Sequence, residues 1–550
     1  VNNQPSNFQS PISNREWAWA IAASLVILFT TTMLMVWAAF TTPPELHYTD
    51  LLYYWQDNNS YLAKLRQGVR GEWLYTVPFV AEPGEGVFLY PNYLLLGHIA
   101  RWFSLEPVIV FHAARLFGGA MLLLSLYALV SRFFTVVQDR RLAFLIAAAG
   151  SGFGWFVLLF DQQLVPDILQ AEIYPYLSAL ANPHFPLAMA AYLWLLDGLV
   201  DRADGIAPPK HIWKKIVLSS TALALLQPYG LVNAGFIGGA WLLTRWTRER
   251  HFPRDVFMRL LVMALIGLPY MLYTVWAVRT NAALAAWDAQ NITRPTALWK
   301  YMVSGGYVLP FAFIGGWLSL RRAHTPNNFL LVWWALVTIL LVFIPAYLNL
   351  YPQSRRFAFG LFIPLALLAW QGLLSLPRIN LPLVRAGFVF LTMPTNILLV
   401  FISLVALARH SPTLFFTQGE WQALLYLRGQ APQRALVLAS PDFGLYVPAW
   451  AGQRVIYGHP HETGNAKARA NEVVNFYAGT LPNADEFLRP VDYIVIGPRE
   501  MFLGPARVPS EFAPVFTQHN ATLVTICPPD WLRELSCKAM RDEVTIYARR

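Results

Sequence analysis

Three polar clusters interrupt an otherwise apolar sequence, and each has side chains suited to chemistry. The first is Asp57-Asn-Asn-Ser-Tyr61, followed by Leu-Ala-Lys-Leu-Arg-Gln-Gly68. A positioned carboxylate can take a proton from a hydroxyl. Tyr61, Leu62, Leu65 and Val69 share one face of a helix starting after Asp57, with Lys64, Arg66 and Gln67 largely elsewhere. Asp57 then serves as the helix cap or sits beside it, and capping alone would also account for the residue.

The second cluster, Asp161 to His184, carries Asp161, Asp167, Glu172 and Asn182-Pro-His184, with no Lys or Arg. A carboxylate and a histidine in such a segment could bind a cation or orient an acceptor, although polar residues at a membrane boundary are often only solvated. The third is Tyr351-Pro-Gln-Ser-Arg355-Arg356-Phe357. Guanidinium groups grip phosphate through paired hydrogen bonds; arginines at a helix end also snorkel.

Lesser candidates are Glu82, one of six acids between Glu45 and Glu85, and Arg115 in His112-Ala-Ala-Arg115. Near the C-terminus, Gly458-His459-Pro-His461-Glu462-Thr463 offers a His-x-His-Glu loop that could hold metal, although histidines in turns are commoner. A Gly-x-Ser-x-Gly elbow, a P-loop, a dinucleotide fingerprint and His-Glu-x-x-His are all absent from the sequence.

The elements that must position these groups are membrane helices. Of 550 residues, 56% are hydrophobic and 13% charged, against about 25% charged in a soluble protein. Apolar runs near 17–40, 106–131, 142–160, 185–200, 216–226, 230–245, 256–277, 298–320, 328–347, 357–375 and 386–408 give about eleven spans. The first run exceeds the ~7–15 residues of a signal-peptide core, so it reads as an uncleaved helix. With the N-terminus cytoplasmic, five basic loops fall inside: Arg132/Arg140/Arg141, Lys210/Lys214/Lys215, Arg245/Arg248/Arg250/Arg254, Arg321/Arg322 and Arg378/Arg385. This threading requires Tyr90–Leu105 to be an interfacial helix and not a span. The net charge of +10 is then explained without nucleic acid.

The expected architecture is mainly α: a transmembrane bundle over 1–408 with a long first outer loop (41–105), then a small extracytoplasmic α/β domain over 409–550. Short β-branched segments at Arg434–Ser440, Arg454–Gly458, Val491–Gly497 and Glu543–Ala548 predict the strands of that domain. Helical patterns fall at Glu420–Gly429 and Lys467–Thr480. The only cysteines, Cys527 and Cys537, could be bridged outside the cytoplasm.

These residues, in this order, resemble the GT-C superfamily of integral-membrane glycosyltransferases, and within it the protein mannosyltransferase-like and aminoarabinose-transferase-like branch. That branch commonly has Asp-Glu-x-x-Tyr and a later glycine after its first span; here Asp57, Tyr61 and Gly68 match, and Asn58 replaces the Glu. Pro91-Asn-Tyr-Leu-Leu-Leu-Gly97 and Ala-Ala-Arg115-Leu are similar to further family elements. Asn182-Pro-His184 stands where the family often has Thr-Pro-Asp, and Arg355-Arg356-Phe357 resembles its Arg-Tyr/Phe element near the carrier phosphate. The resemblance covers roughly residues 15–408.

It implies transfer of a hexosyl or pentosyl group from a polyprenyl-phosphate sugar to an extracytoplasmic glycan, lipid or protein acceptor, with inversion, in the cell membrane. Asp57 would be the base, and Arg355, Arg356 and Tyr351 would hold the donor phosphate. His184, Glu172 and Glu82 would lie on the acceptor or metal side, with Tyr61 and Arg115 in support. The cofactor requirement stays open: the lipid-linked sugar is the donor, and a divalent cation would involve His184 and Glu172 at most. Two rival readings are a non-catalytic subunit of a cell-envelope assembly and a lipid-linked substrate transporter. Transport would call for charged spans and broken, repeated helices.

Overall fold

A computed structural model describes residues 12–160, 164–199, 211–321, 326–376, 382–526 and 537–550. Asp161, Lys210, Arg322, Arg378 and Cys527 fall outside the described residues. Helices occupy every window expected to span. Among the described residues four are long and apolar enough to cross a membrane, or up to seven if each of three bent pairs is one span. The difference from eleven has a plain physical source. Helices such as His184–Leu199, with 16 residues, and Phe362–Leu374, with 13, are shorter than the ~20 residues a bilayer core requires. The chain is a multi-pass membrane protein.

Two compact units make up the chain, and their limits differ from a single cut at residue 408. One holds residues up to Met33, His112–Leu272 and Thr293–Ile402; the other holds Leu34–Phe111, Tyr273–Ile292 and Ser403–Arg550.

In the first unit the spans are broken at specific places. The first span is α1 (Asn14–Thr30) followed by α2 (Met33–Thr41), bent by 41°. The Thr31 and Thr32 hydroxyls turn back onto Leu28 O, at 2.8 and 3.0 Å. Leu298–Gly305 and Val308–Arg321 meet at 88°. Gly306 makes that corner at φ +50°, and a Cβ there would lie 2.8 Å from the Gly152 Cα. Backbone groups freed inside a bilayer need partners, and these breaks supply them: Ser151 N donates to Thr392 O (2.6 Å) and Phe153 N to Val303 O (2.9 Å). Broken helices were a mark of the transporter reading, and they are present here.

In the second unit, β1 (Leu46–Tyr48) pairs antiparallel with β2 (Phe415–Thr417). Helix α3 (Trp55–Val69) crosses α4 (Pro91–Trp102) closely. A Cβ on Gly68 would lie 2.1 Å from Leu94 O, and one on Gly97 2.0 Å from Leu65 O, so only glycine permits this approach. With 12 residues, α4 is about 18 Å long, too short for a ~30 Å hydrocarbon core. The next helix, α5 (Pro107–Val130), is full-length and apolar and belongs to the first unit from His112 onward.

The C-terminal part carries a five-stranded sheet in the order β4-β3-β5-β7-β6. Its strands are β3 (Leu436–Leu438), β4 (Arg454–Val455), β5 (Tyr493–Ile496), β6 (Phe512–Ile526) and β7 (Lys538–Arg549). The three parallel strands β4, β3 and β5 join an antiparallel β7–β6 hairpin. Strand β6 was missed from sequence. Cys537 is in a disulfide. Helix Gln418–Gln430 begins at a Thr417/Glu420 capping box, and Glu420 also holds the buried Arg499 guanidinium at 2.7 Å.

Candidate active site

Asp57 does not cap its helix. Helix α3 starts at Trp55, after Tyr54 in the left-handed region (φ 50°), and no side chain caps it. Asp57 therefore lies in the first turn, where the positive end of the helix favours a carboxylate. The residues off the apolar face are also inside. Lys64, Arg66 and Gln67 are 0%, 5% and 1% exposed, because each has a partner distant from the helix pattern. Arg66 donates to Ala449 O (3.3 Å), Gln67 to Thr76 O (2.7 Å), and Asn59 accepts from the Trp450 indole (3.1 Å).

The partner of Lys64 is Glu462, from the C-terminal His-x-His-Glu loop, at 2.8 and 3.1 Å. Glu462 also accepts from Ser60 and from the Tyr75 hydroxyl. The Lys64 ammonium sits over the rings of Tyr61, Tyr75 and Tyr90 at 5.3, 5.2 and 4.6 Å, a cation–π enclosure. Tyr61 itself stacks on Tyr93 at 4.7 Å.

His459 completes the group. Its Nδ1 accepts from the backbone N–H of His461 and of Glu462, both at 3.1 Å. A ring nitrogen that accepts leaves the other as donor, so Nε2 carries hydrogen; it lies 3.7 Å from Asp57 Oδ1. The Asp57 side chain is 51% exposed, His459 only 2%. Burial works to raise the Asp57 carboxyl, but the His459 N–H, with His461 and Lys64 nearby, outweighs it and lowers its pKa. Burial likewise opposes Glu462, and Lys64 and His459 prevail, with a net lowering. The arrangement is an anionic, half-open carboxylate ready to accept a proton, on a helix anchored by a buried ion pair. Sequence reading put Asp57 and the His459 loop at opposite ends of the chain; the structure brings them together.

The first unit holds the other candidates. Arg355 and Arg356 lie on a short 3-10 turn, Ser354–Ala358. Arg355 Nε faces Glu172 Oε1 at 3.5 Å, with the Arg355 side chain 33% exposed and Glu172 8%. Its terminal nitrogens make no hydrogen bond among the described residues, which leaves a fork open toward an anion. The Arg356 guanidinium rests 5.3 Å over the Tyr229 ring, and Tyr351 donates to the Tyr229 hydroxyl at 3.0 Å. Tyr229 is not among the residues that the sequence singled out.

His184 is buried in the first turn of His184–Leu199, its ring 4.2 Å from that of Phe185. Arg115 is fully buried and donates to Ala179 O, Thr31 and Thr32 at 2.8, 3.3 and 2.9 Å, tying α5 to the α1–α2 break. Asp167 is buried and accepts from Gly152 N, Gly154 N and Thr395, each at 3.0 Å. Glu82 is exposed.

No three His, Cys, Asp or Glu side chains are grouped to hold a metal among the described residues. Glu172 faces a guanidinium, His459 Nδ1 accepts backbone hydrogens, and Glu462 is held by Lys64. Of the two residues expected to hold a divalent cation, Glu172 is thus engaged by Arg355, and His184 is buried beside Phe185.

No protein-family model and no curated protein matches the sequence. Solved structures do match in shape. ArnT from Cupriavidus metallidurans, bound to undecaprenyl phosphate, aligns over 97% of this chain and 98% of its own, with TM-score 0.54 and 12% identity. The archaeal oligosaccharyltransferase AglB from Archaeoglobus fulgidus, in complex with an inhibitory peptide and a dolichol-phosphate, aligns over 89% and 71%, with TM-score 0.50 and 14% identity. The mycobacterial arabinofuranosyltransferase AftD aligns over 98% of this chain but 40% of its own, with TM-score 0.51 and 17% identity.

Proposed function

We infer that this chain, which has the fold of the GT-C glycosyltransferases, is a membrane glycosyltransferase using a polyprenyl-phosphate sugar. The observation that carries the reading is Asp57: a carboxylate held anionic in the first turn of α3, half open to solvent, with His459 beside it. The acceptor hydroxyl oxygen attacks the anomeric carbon while Asp57 takes its proton. The bond from that carbon to the phosphate oxygen breaks, and the polyprenyl phosphate leaves with the electron pair. A single displacement inverts the anomeric centre. Arg355 and Arg356 stabilise the leaving phosphate through charge-assisted hydrogen bonds, with Tyr351 and Tyr229 supporting Arg356. The neighbours that bind undecaprenyl phosphate and dolichol-phosphate support this donor class. The transferred group is a hexosyl or pentosyl unit, and the acceptor is a glycan, lipid or protein outside the cytoplasm.

Mass spectrometry of envelope glycans and lipids from cells with and without the gene tests this. Loss of one sugar from a product, with accumulation of its lipid-linked donor, is expected; identical profiles would count against it. One observation favours a non-catalytic subunit instead. Asn58 stands where the related branch has Glu, and its amide is spent on Tyr53 O at 2.7 Å.

A further inference from the structure

We propose that His459, supplied by the loop ahead of helix Ala466–Tyr477, is the positioning residue for Asp57, so that the C-terminal region completes the base. The inference rests on Asp57 acting as that base. Three features of the loop carry it. First, the imidazole cannot choose its tautomer freely: two backbone N–H groups converge on Nδ1 at 3.1 Å, which commits the Nε2 hydrogen to the other side. Second, that Nε2 is buried with no hydrogen-bond partner, and the nearest carboxylate is Asp57, 3.7 Å away. A buried donor left unpaired costs about 1–3 kcal/mol, so a site that keeps one has a use for it.

Third, the loop is fixed at several points. Thr463 N donates to His459 O (3.0 Å), the Thr463 hydroxyl accepts from His459 N (3.3 Å), and Gln290 donates to His461 O (2.9 Å). Phe79 packs on the imidazole with ring centres 5.6 Å apart. Gly458 permits the close packing, since a Cβ there would lie 2.4 Å from Gly444 O. At 3.7 Å the His459–Asp57 contact is longer than a hydrogen bond, and catalytic contacts commonly tighten when substrate binds. The other groups acting with Asp57 are Lys64 and Tyr61 from its own helix and His461 from the loop, with Glu462 facing Tyr61. Lys64 also lowers the Asp57 carboxyl but is shared with Glu462, and His459 leads the groups that do so.

The test reads Asp57 directly and needs no transfer assay. A water-soluble carbodiimide with glycine ethyl ester modifies protonated carboxyls, and peptide mass spectrometry follows Asp57 labelling against pH in the full-length protein in detergent. His459→Phe should move the labelling midpoint up by about one pH unit, as expected when the N–H that favours the charged carboxylate is removed. His459→Gln, a milder change that covers the case of a misfolded Phe variant, should move it in the same direction by less. An unmoved midpoint in His459→Gln overturns the proposal, as does one in a folded His459→Phe. Because labelling is independent of sugar transfer, this result and the transferase reading can fail separately.

Discussion

Lys64 and Glu462 face each other at 2.8 Å although 398 residues separate them along the chain. Their side chains are 0% and 11% exposed, so the pair fastens α3 to the loop that carries His459. Removing one member strands a buried charge, which costs about 3–5 kcal/mol. Lys64→Met is expected to lower unfolding stability by that order in a denaturant titration. The double variant Lys64→Met/Glu462→Leu should recover much of it, because no lone charge remains. A double variant as unstable as the sum of the singles would show the two residues acting independently.

The pH dependence follows from the same carboxylate. Glu462 is held below its ordinary 4.5 in the fold, so folding favours its charged form. Its contribution is complete above that ordinary value and is lost as pH falls through the lower, folded one. Thermal melts should therefore be flat in this respect from neutral pH down to about 5 and then decline. Glu462→Gln should be less stable near neutrality and show a shallower acid decline. An equally steep decline in that variant would place the acid sensitivity elsewhere.

Much of this arrangement was legible in the sequence, and the failures have definite causes. Apolar runs revealed the helices because hydrophobic length is a local property. The three breaks were not seen, since they depend on hydroxyls such as Thr31 returning to Leu28 O and on Gly306 meeting Gly152. Helical periodicity only placed Lys64, Arg66 and Gln67 away from the apolar face; their burial is set by Glu462, Ala449 and Thr76, which no window around α3 contains. Strand β6 escaped notice because its residues Phe512–Ile526 include Pro514 and a polar centre, and its pairing with β7 is irregular at two places. Asp57 and the His459 loop were each singled out, but only the fold joins them.

The glycines of the α3–α4 crossing provide a geometric test. Gly68→Ala would place a methyl 2.1 Å from Leu94 O, and Gly97→Ala one 2.0 Å from Leu65 O. Backbone cannot yield as a side chain can, so the helices must separate, at a cost of about 1–3 kcal/mol for overpacking. Activity should fall further than stability, because α3 carries Asp57. Wild-type melting and activity in both variants would refute the close crossing.

Arg355 gives a test of the phosphate site. Its Nε faces Glu172 at 3.5 Å, which leaves the terminal nitrogens for a donor. Arg355→Lys keeps the charge but loses the fork, and binding of undecaprenyl phosphate should weaken about tenfold, or 1.4 kcal/mol. Arg355→Gln should weaken it more. Unchanged binding in both variants would remove Arg355 from the donor site.

The most direct measurement is complementation by Asp57→Asn. Cells lacking the gene receive either wild type or this variant, with equal membrane levels confirmed by immunoblot, and envelope glycans and lipids are read by mass spectrometry. Loss of a general base costs about 10²–10⁴-fold in rate. The account predicts that wild type restores the missing sugar and Asp57→Asn does not. Restoration by Asp57→Asn to the wild-type level would contradict it.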